Sequence, residues 1–277
     1  MKDARPYFEA NRRHWNEVAR LHPTTDFYRH YLDGIRAGGT SLHGFEIDEV
    51  GDVEGKTLLH LQSHIGTETV SWALRGARVT AVDFSADALA HVARFAAEMG
   101  VSVRTVVSNV YDLPTTLQET FDIVYTSWGV LGWMPDLARW ARVVGALVRP
   151  GGTFYLAEFH PVMWLLDETC AEPRLRYSYF QDEPFYDEAD GSYADPAAHI
   201  ENRATYGFEY PLGKVLSALV DAGLRVEFLH ERAGCGPKLM EMLVPDESTD
   251  ERWHVLPAEL PQLPLSFSLR AVKDRAG

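Results

Sequence analysis

Between residues 56 and 159 short apolar runs alternate with stretches of helical periodicity. Residues 57–61 are a compact apolar run between Gly55 and the polar stretch Gln62-Ser63-His64-Ile65-Gly66, the pattern of a buried parallel strand that empties into a loop. Val70, Trp72, Ala73 and Leu74 then form one apolar stripe, which predicts a helix capped by Thr67 and stopped at Gly76. A second strand over 78–82 ends in Asp83 and leads to a helix over 86–99. A third strand follows over the β-branched run 101–107, and a fourth over 121–127, where FDIVYTS is the clearest strand pattern in the chain. Asp136 caps the next predicted helix, and Arg149-Pro150-Gly151-Gly152 turns the chain into a fifth strand over 153–159. Such alternation predicts an α/β fold built on a doubly wound, mostly parallel sheet.

The flanks read differently. Helical segments over 7–21, 27–35 and 42–50 precede the sheet, and the aromatics Tyr7, Phe8, Trp15, Phe27, Tyr28 and Tyr31 suit either a lid over a ligand site or plain packing. From 160 to 210 the alternation breaks into a run of aromatics and acids that is too long for a bare loop, so short elements of its own are expected there. Residues 211–222 read as a helix with Pro211 at its start and Gly223 at its end, and 224–229 as a sixth strand. A seventh strand over 265–272 follows a Pro-punctuated loop and completes a hairpin at the sheet edge. The expected organisation is a helical lid over 1–50, a core over 51–159, an insertion over 160–210, and a closing helix with an edge hairpin over 211–277.

Length and composition narrow the partners. A chain of 277 residues with 46% hydrophobic content buries a full core as one large α/β domain, alone or with an elaboration. A net charge of −14 without any Lys/Arg cluster argues against a nucleic-acid partner. No apolar run approaches the roughly 18 residues of a membrane helix, and the first residues lack a signal-peptide core, so a cytoplasmic protein with a small-molecule partner and no membrane contact is expected. Monomer and homodimer stay open. Cys170 and Cys235 are too few for a disulfide framework, and the eleven histidines are scattered without a HExxH pairing, so no metal site is expected.

Asp83 lies about 20 residues beyond the first strand, where an acid in a βαβ unit accepts hydrogen bonds from both hydroxyls of a nucleoside ribose. It is also placed to cap the following helix, although Ser85 suits that role better. The segments LLHLQSHIGTET, VTAVDFS, SNVYDLP, FDIVYTSWGVL and LVRPGGTFYL, taken in this order, resemble the class I S-adenosylmethionine (SAM)-dependent methyltransferases of small-molecule type. The resemblance implies a seven-stranded Rossmann-like sheet with SAM as cofactor. It places the ribose on Asp83, the adenine on Phe84 beside Asn109 and Val110, and the methionine and sulfonium part near Ser127 and Trp128. Gln62, Ser63, His64, Gly66 and Ser85 complete the implied cofactor set. The first motif departs from the family, because His60, Gln62 and His64 stand where it has an acid and two glycines. Side chains at glycine positions must turn away or contact the ligand themselves. The same residues weigh against a nicotinamide dehydrogenase, whose pyrophosphate wants GxGxxG.

Methyl transfer from a sulfonium is an in-line displacement, accelerated chiefly by holding acceptor and methyl collinear in a water-poor pocket. A hydroxyl or ammonium acceptor also needs a base, and the candidates are His160 and Glu158 at the end of the fifth strand and His199 in the insertion. His160-Pro161 also suits a simple turn out of the strand. Trp15, Tyr28, Trp133, Tyr179 and Tyr206 are candidate acceptor contacts, since aromatic faces beside carboxylates suit a flat or cationic molecule. Most of the insertion's aromatics and acids fit the plainer reading of a packed subdomain with a solvated face. The expected activity is methyl transfer to an O or N nucleophile of a small aromatic or heterocyclic molecule. A SAM-binding protein with non-methylating catalysis or a ligand-sensing role is the alternative.

Overall fold

The computed structural model describes residues 4–249 and 253–275. Eight helices are assigned among these residues: α1 (Arg5–Leu21), α2 (Asp26–Arg36), α3 (Gly44–Val50), α4 (Thr67–Leu74), α5 (Ala86–Glu98), α6 (Leu113–Thr116), α7 (Leu137–Leu147) and α8 (Leu212–Asp221). The central sheet contains β1 (Thr57–Leu61), β2 (Arg78–Asp83), β3 (Val103–Val107), β4 (Phe121–Ser127), β5 (Val148–Phe159), β8 (Arg225–Arg232) and β12 (Ser266–Val272). Two small antiparallel sheets hold β6 (Phe185–Glu188) with β7 (Ala204–Gly207), and β9 (Gly234–Cys235) with β10 (Val244–Pro245) and β11 (His254–Val255).

The seven strands run in the order β3-β2-β1-β4-β5-β12-β8. β1 pairs in parallel with both β2 and β4, so the chain winds outward in two directions from that point. The last strand is inserted antiparallel between β5 and β8, which gives the edge hairpin its shape. Because β1, β2, β4 and β5 are parallel, Leu61, Asp83, Ser127 and Phe159 all end at one edge of the sheet, the edge where an α/β sheet of this winding accommodates a ligand.

Both faces of the sheet are covered. Leu59, Leu61, Val124, Phe154 and Leu156 face α7 and α8, with Trp140 and Leu219 fully buried between the layers. Leu58, Ile123, Tyr125, Tyr155 and Ala157 face the other way against Trp72 of α4 and the apolar side of α3. α3 is pinned by its acids. Glu46 accepts a hydrogen bond from Tyr125 Oη at 2.6 Å. Glu49 accepts from Tyr155 Oη and Ser268 Oγ, both at 2.7 Å, and from Arg232 at 2.6 Å.

Helix starts follow local chemistry, with one correction. Thr25, Ser85 and Asp136 cap α2, α5 and α7 by accepting from the amides of Tyr28, Ala88 and Arg139. Thr67 is not a cap: Gly66 takes that position in a left-handed conformation, and its carbonyl starts the helix by accepting from Val70. The stretch between the sixth and seventh strands is more than a loop, since it carries the small β9–β11 sheet.

α7 meets the end of α8 at Gly145, where a Cβ would lie 2.5 Å from the carbonyl oxygen of Ala222. Gly145→Ala is therefore expected to destabilise the protein by about 1–3 kcal/mol, even though alanine is the better helix former. Urea denaturation checks this, and stability equal to or above wild type would show that the two helices separate freely.

Candidate functional site

A cavity of about 860 Å³ opens over the shared strand edge. Its floor is built from the turns after β1, β2, β4 and β5, and its roof from α1, α2 and the insertion. The floor starts at the β1 loop, where the Ser63 amide donates to Val82 O at 2.9 Å and so continues the strand pairing. The His64 amide donates to Asp83 Oδ2 at 2.9 Å, and the Ser85 amide to Oδ1 at 2.8 Å. Asp83 thus closes the loop onto the end of β2 while each oxygen keeps a lone pair for a ligand. Burial pushes its carboxyl up to about 6, against the pull of these amides.

Gln62 and His64 have φ of 55° and 47°, the left-handed conformation that glycine adopts most easily. The backbone of a glycine-rich cradle is therefore retained with side chains attached, at a cost of about 1–2 kcal/mol per residue. Gln62 turns to donate from Nε2 to Val130 O at 3.1 Å. His64 turns outward, with Nε2 at 2.7 Å from His22 Nδ1, while His22 Nε2 lies 3.1 Å from Ser192 Oγ. Burial holds both imidazoles neutral, with His22 pushed down to about 2 and His64 to about 3. At Gly66 no side chain fits, because φ is +83° and a Cβ would lie 2.6 Å from Val92 Cγ2.

The turn after β4 is organised by Glu158. Its carboxylate accepts from the amides of Gly129, Val130, Leu131 and Phe159 at 2.5 to 3.0 Å. Trp128, at the head of that turn, has φ of 52° and packs against Phe159 and His43. Burial raises the Glu158 carboxyl, and the four amides oppose it. Three buried polar atoms on this floor have no partner among the described residues: Gln62 Oε1, Ser63 Oγ and Trp128 Nε1. Buried polar groups are normally satisfied, so these are the atoms a polar ligand would complete.

The cavity gathers most of the residues singled out from sequence. Gln62, Ser63, His64 and Gly66 line it, as do Asp83, Phe84, Asn109 and Val110, and then Ser127, Trp128 and Glu158. Of the aromatic candidates, Trp15, Tyr28 and Trp133 line it too. Trp15 packs edge-on against both His64 and Trp133, and the Tyr28 hydroxyl bonds that of Tyr193. Five candidates lie elsewhere. Ser85 caps α5 and donates to Asn16 Oδ1, which ties α1 to the strand edge. His160 is buried in the turn out of β5, where Nδ1 accepts from the Val162 amide and Nε2 lies 3.0 Å from Glu231. His199 is largely exposed and pairs with Asp190. Tyr179 accepts from the Leu212 amide, and Tyr206 is tied through its backbone to the Asn11 side chain and packs on Tyr7 and Tyr186.

The structure also brings in groups that sequence reasoning passed over. They are His22 just beyond α1, Glu68 in the first turn of α4, and Glu209 between Phe208 and Tyr210. All three line the cavity. Burial raises Glu68 to about 7. Among the described residues no group of three or more His, Cys, Asp or Glu is placed to hold a metal ion, and no helix is long and apolar enough to cross a membrane.

With this geometry, comparison with known proteins is specific. Residues 58–154 match the family model of a methyltransferase domain. A ubiquinone biosynthesis O-methyltransferase from Pseudomonas syringae is 33% identical over 111 residues, which span 40% of this chain and 47% of that protein. One of the same name from Aeromonas salmonicida is 27% identical over 195 residues, 68% of this chain and 82% of the other. The solved structure of a SAM-dependent methyltransferase from Mesorhizobium loti superposes with a TM-score of 0.57 at 21% identity, covering 82% of this chain and 95% of its own. The sheet order, with its reversed strand beside β5, is that of a Rossmann-like methyltransferase fold. Residues 58–154 thus carry a methyltransferase domain in a fold shared with SAM-dependent methyltransferases, and SAM is the implied cofactor.

Glu158→Gln would turn an amide N–H₂ toward backbone donors that need an acceptor. It is expected to cost about 1–3 kcal/mol of stability and to loosen the 129–131 turn. Thermal unfolding with and without S-adenosylhomocysteine (SAH) reads both effects, and an unchanged midpoint in either condition would contradict the role given to this carboxylate.

Proposed function

We propose that the enzyme methylates a hydroxyl oxygen of a small aromatic or heterocyclic molecule. The observation that carries this reading is the composition of the cavity beyond the cradle, where Phe159, Trp164, Tyr177, Phe185 and Phe208 offer flat apolar walls. A volume of about 860 Å³ is near the top of the roughly 300–1,000 Å³ range of small-molecule pockets and suits a cofactor together with a small acceptor. The O-methyltransferase names of the two relatives support oxygen over nitrogen.

In this reading Asp83 receives the ribose hydroxyls on its two free lone pairs. Phe84 packs on the adenine, and Asn109 and Val110 meet its edge. Gln62 Oε1, Ser63 Oγ and Trp128 Nε1 take up the polar methionine part. SAM, when bound, supplies an electrophilic methyl group on a positively charged sulfur. The chain supplies position and dryness: α1 and the insertion cover the strand edge, and Trp15, Trp133 and Tyr28 form the wall between cradle and lid. Glu158 holds the β4 turn that carries Ser127 and Trp128, and acts by positioning because its oxygens are occupied by amides.

Two measurements test the reading. Ribose hydroxyls donate to the ionised form of Asp83, whose carboxyl burial lifts to about 6. SAH affinity should therefore be constant above that pH and fall by up to tenfold per unit below it, by linkage. Asp83→Asn should weaken SAH binding by about 10- to 100-fold and remove this pH dependence. Calorimetry across pH 5 to 8 decides, and unchanged binding by the variant would reject the ribose assignment. For the acceptor, SAH formation is followed with a panel of phenols, amines and heterocycles. Turnover confined to amines would reject oxygen transfer, and SAM binding without any turnover would favour a sensing role.

A further inference from the structure

The ionisable groups named on the cavity floor are engaged: Glu158 by four amides, Asp83 by two, His64 by His22 of the roof, and His60 by Thr69 Oγ1 at 2.8 Å. Glu209 differs. It follows β7 and lines the cavity, yet no hydrogen bond or ion pair reaches its carboxylate among the described residues. The backbone around it is held firmly. The Phe208 amide donates to Gly132 O at 2.8 Å, and the Tyr210 hydroxyl donates to Met134 O, so the residues on either side of Glu209 are fastened to the loop that follows β4. A carboxylate fixed between two such clamps, without a partner of its own, is a built acceptor of protons.

We propose that Glu209 is the general base of the enzyme, taking the proton of the acceptor's hydroxyl. This rests on the oxygen-transfer reading above. As the acceptor oxygen forms its bond to the methyl carbon, the carbon–sulfur bond breaks with its electron pair left on sulfur, and the hydroxyl proton passes to a Glu209 carboxylate oxygen. The charges balance: a sulfonium and a carboxylate become a thioether and a carboxylic acid. The surroundings suit the task. Burial lifts the Glu209 carboxyl to about 8, with a smaller contribution from the charge of Glu158 on β5. Tyr210 is the neighbouring titratable group, and its own hydroxyl is raised by burial first, with Asp136 and Glu209 adding to it. An ionised Glu209 is therefore favoured once the positive sulfur is present, the moment at which a base is required.

The test uses Glu209→Gln in the 277-residue protein, with SAH affinity as the fold control, expected within about twofold of wild type because the carboxylate makes no hydrogen bond or ion pair among the described residues. Calorimetry at pH 7 in buffers of different ionisation enthalpy should show wild type releasing more protons on binding SAM than SAH, and the variant losing that difference. Turnover with phenol should fall by about 10²- to 10⁴-fold in kcat with KM nearly unchanged. At pH 8 the loss should shrink towards nothing with 4-nitrophenol, which is largely ionised there and needs no base. Equal proton release in both proteins, or an equal loss with phenol and 4-nitrophenol, would overturn the proposal. If wild type turns over no phenol, the oxygen-transfer reading fails, and the proton-release measurement alone decides whether Glu209 answers the sulfonium charge.

Discussion

One buried carboxylate sets the shape of the reactive end of this molecule. Glu158 leaves the end of β5 and gathers the amides of three successive residues beyond β4, together with that of its own neighbour. These donors sit at the end of a buried strand, where unpaired they would cost about 1–3 kcal/mol each. Meeting them with one side chain fixes the turn, and the turn fixes Trp128 in a conformation that a bulky residue seldom adopts. The loop that carries Gly132 and Met134 continues from this turn and in turn anchors the segment around Glu209.

The β1 loop solves a related problem in another way. Gln62 and His64 stand where the resemblance implies glycine, and they keep the left-handed backbone. The strain is offset because each side chain makes a specific contact: Gln62 reaches across to the β4 turn, and His64 reaches up to the lid. Only Gly66 is irreplaceable on steric grounds, since α5 packs directly against it. The departure from the family motif thus changes what the loop touches more than how its backbone runs.

The sheet was legible because parallel strands buried on both faces are written as continuous apolar runs, and Asp83 because it ends one of them. The other cradle residues were implied by the resemblance of the strand-end segments to class I SAM-dependent methyltransferases. The catalytic candidates His160 and His199 show the limit of that reasoning: a position at a strand end does not say which way a side chain turns, and His160 turns toward Glu231 on β8. The lid and insertion were least legible. Their aromatics follow no single period, so nothing separated Trp15 and Tyr28, which reach the cavity, from Tyr179 and Tyr206, which pack outside it. Glu209 carried no signal at all, because its meaning lies in having no partner. The two-residue strands of the β9–β11 sheet were too short to leave a pattern.

The contact from His64 through His22 to Ser192 joins the cofactor loop, the end of α1 and the insertion, segments far apart in sequence. The same two coverings are sewn together further along, where Asn11 bonds the backbone of Tyr206 and Glu17 bonds the amides of Glu201 and Asn202. Neither covering lifts without the other. Opening the cavity therefore means breaking these bonds together, a cooperative local unfolding of both coverings. His64 in the β1 loop thereby makes the cradle itself part of the clasp.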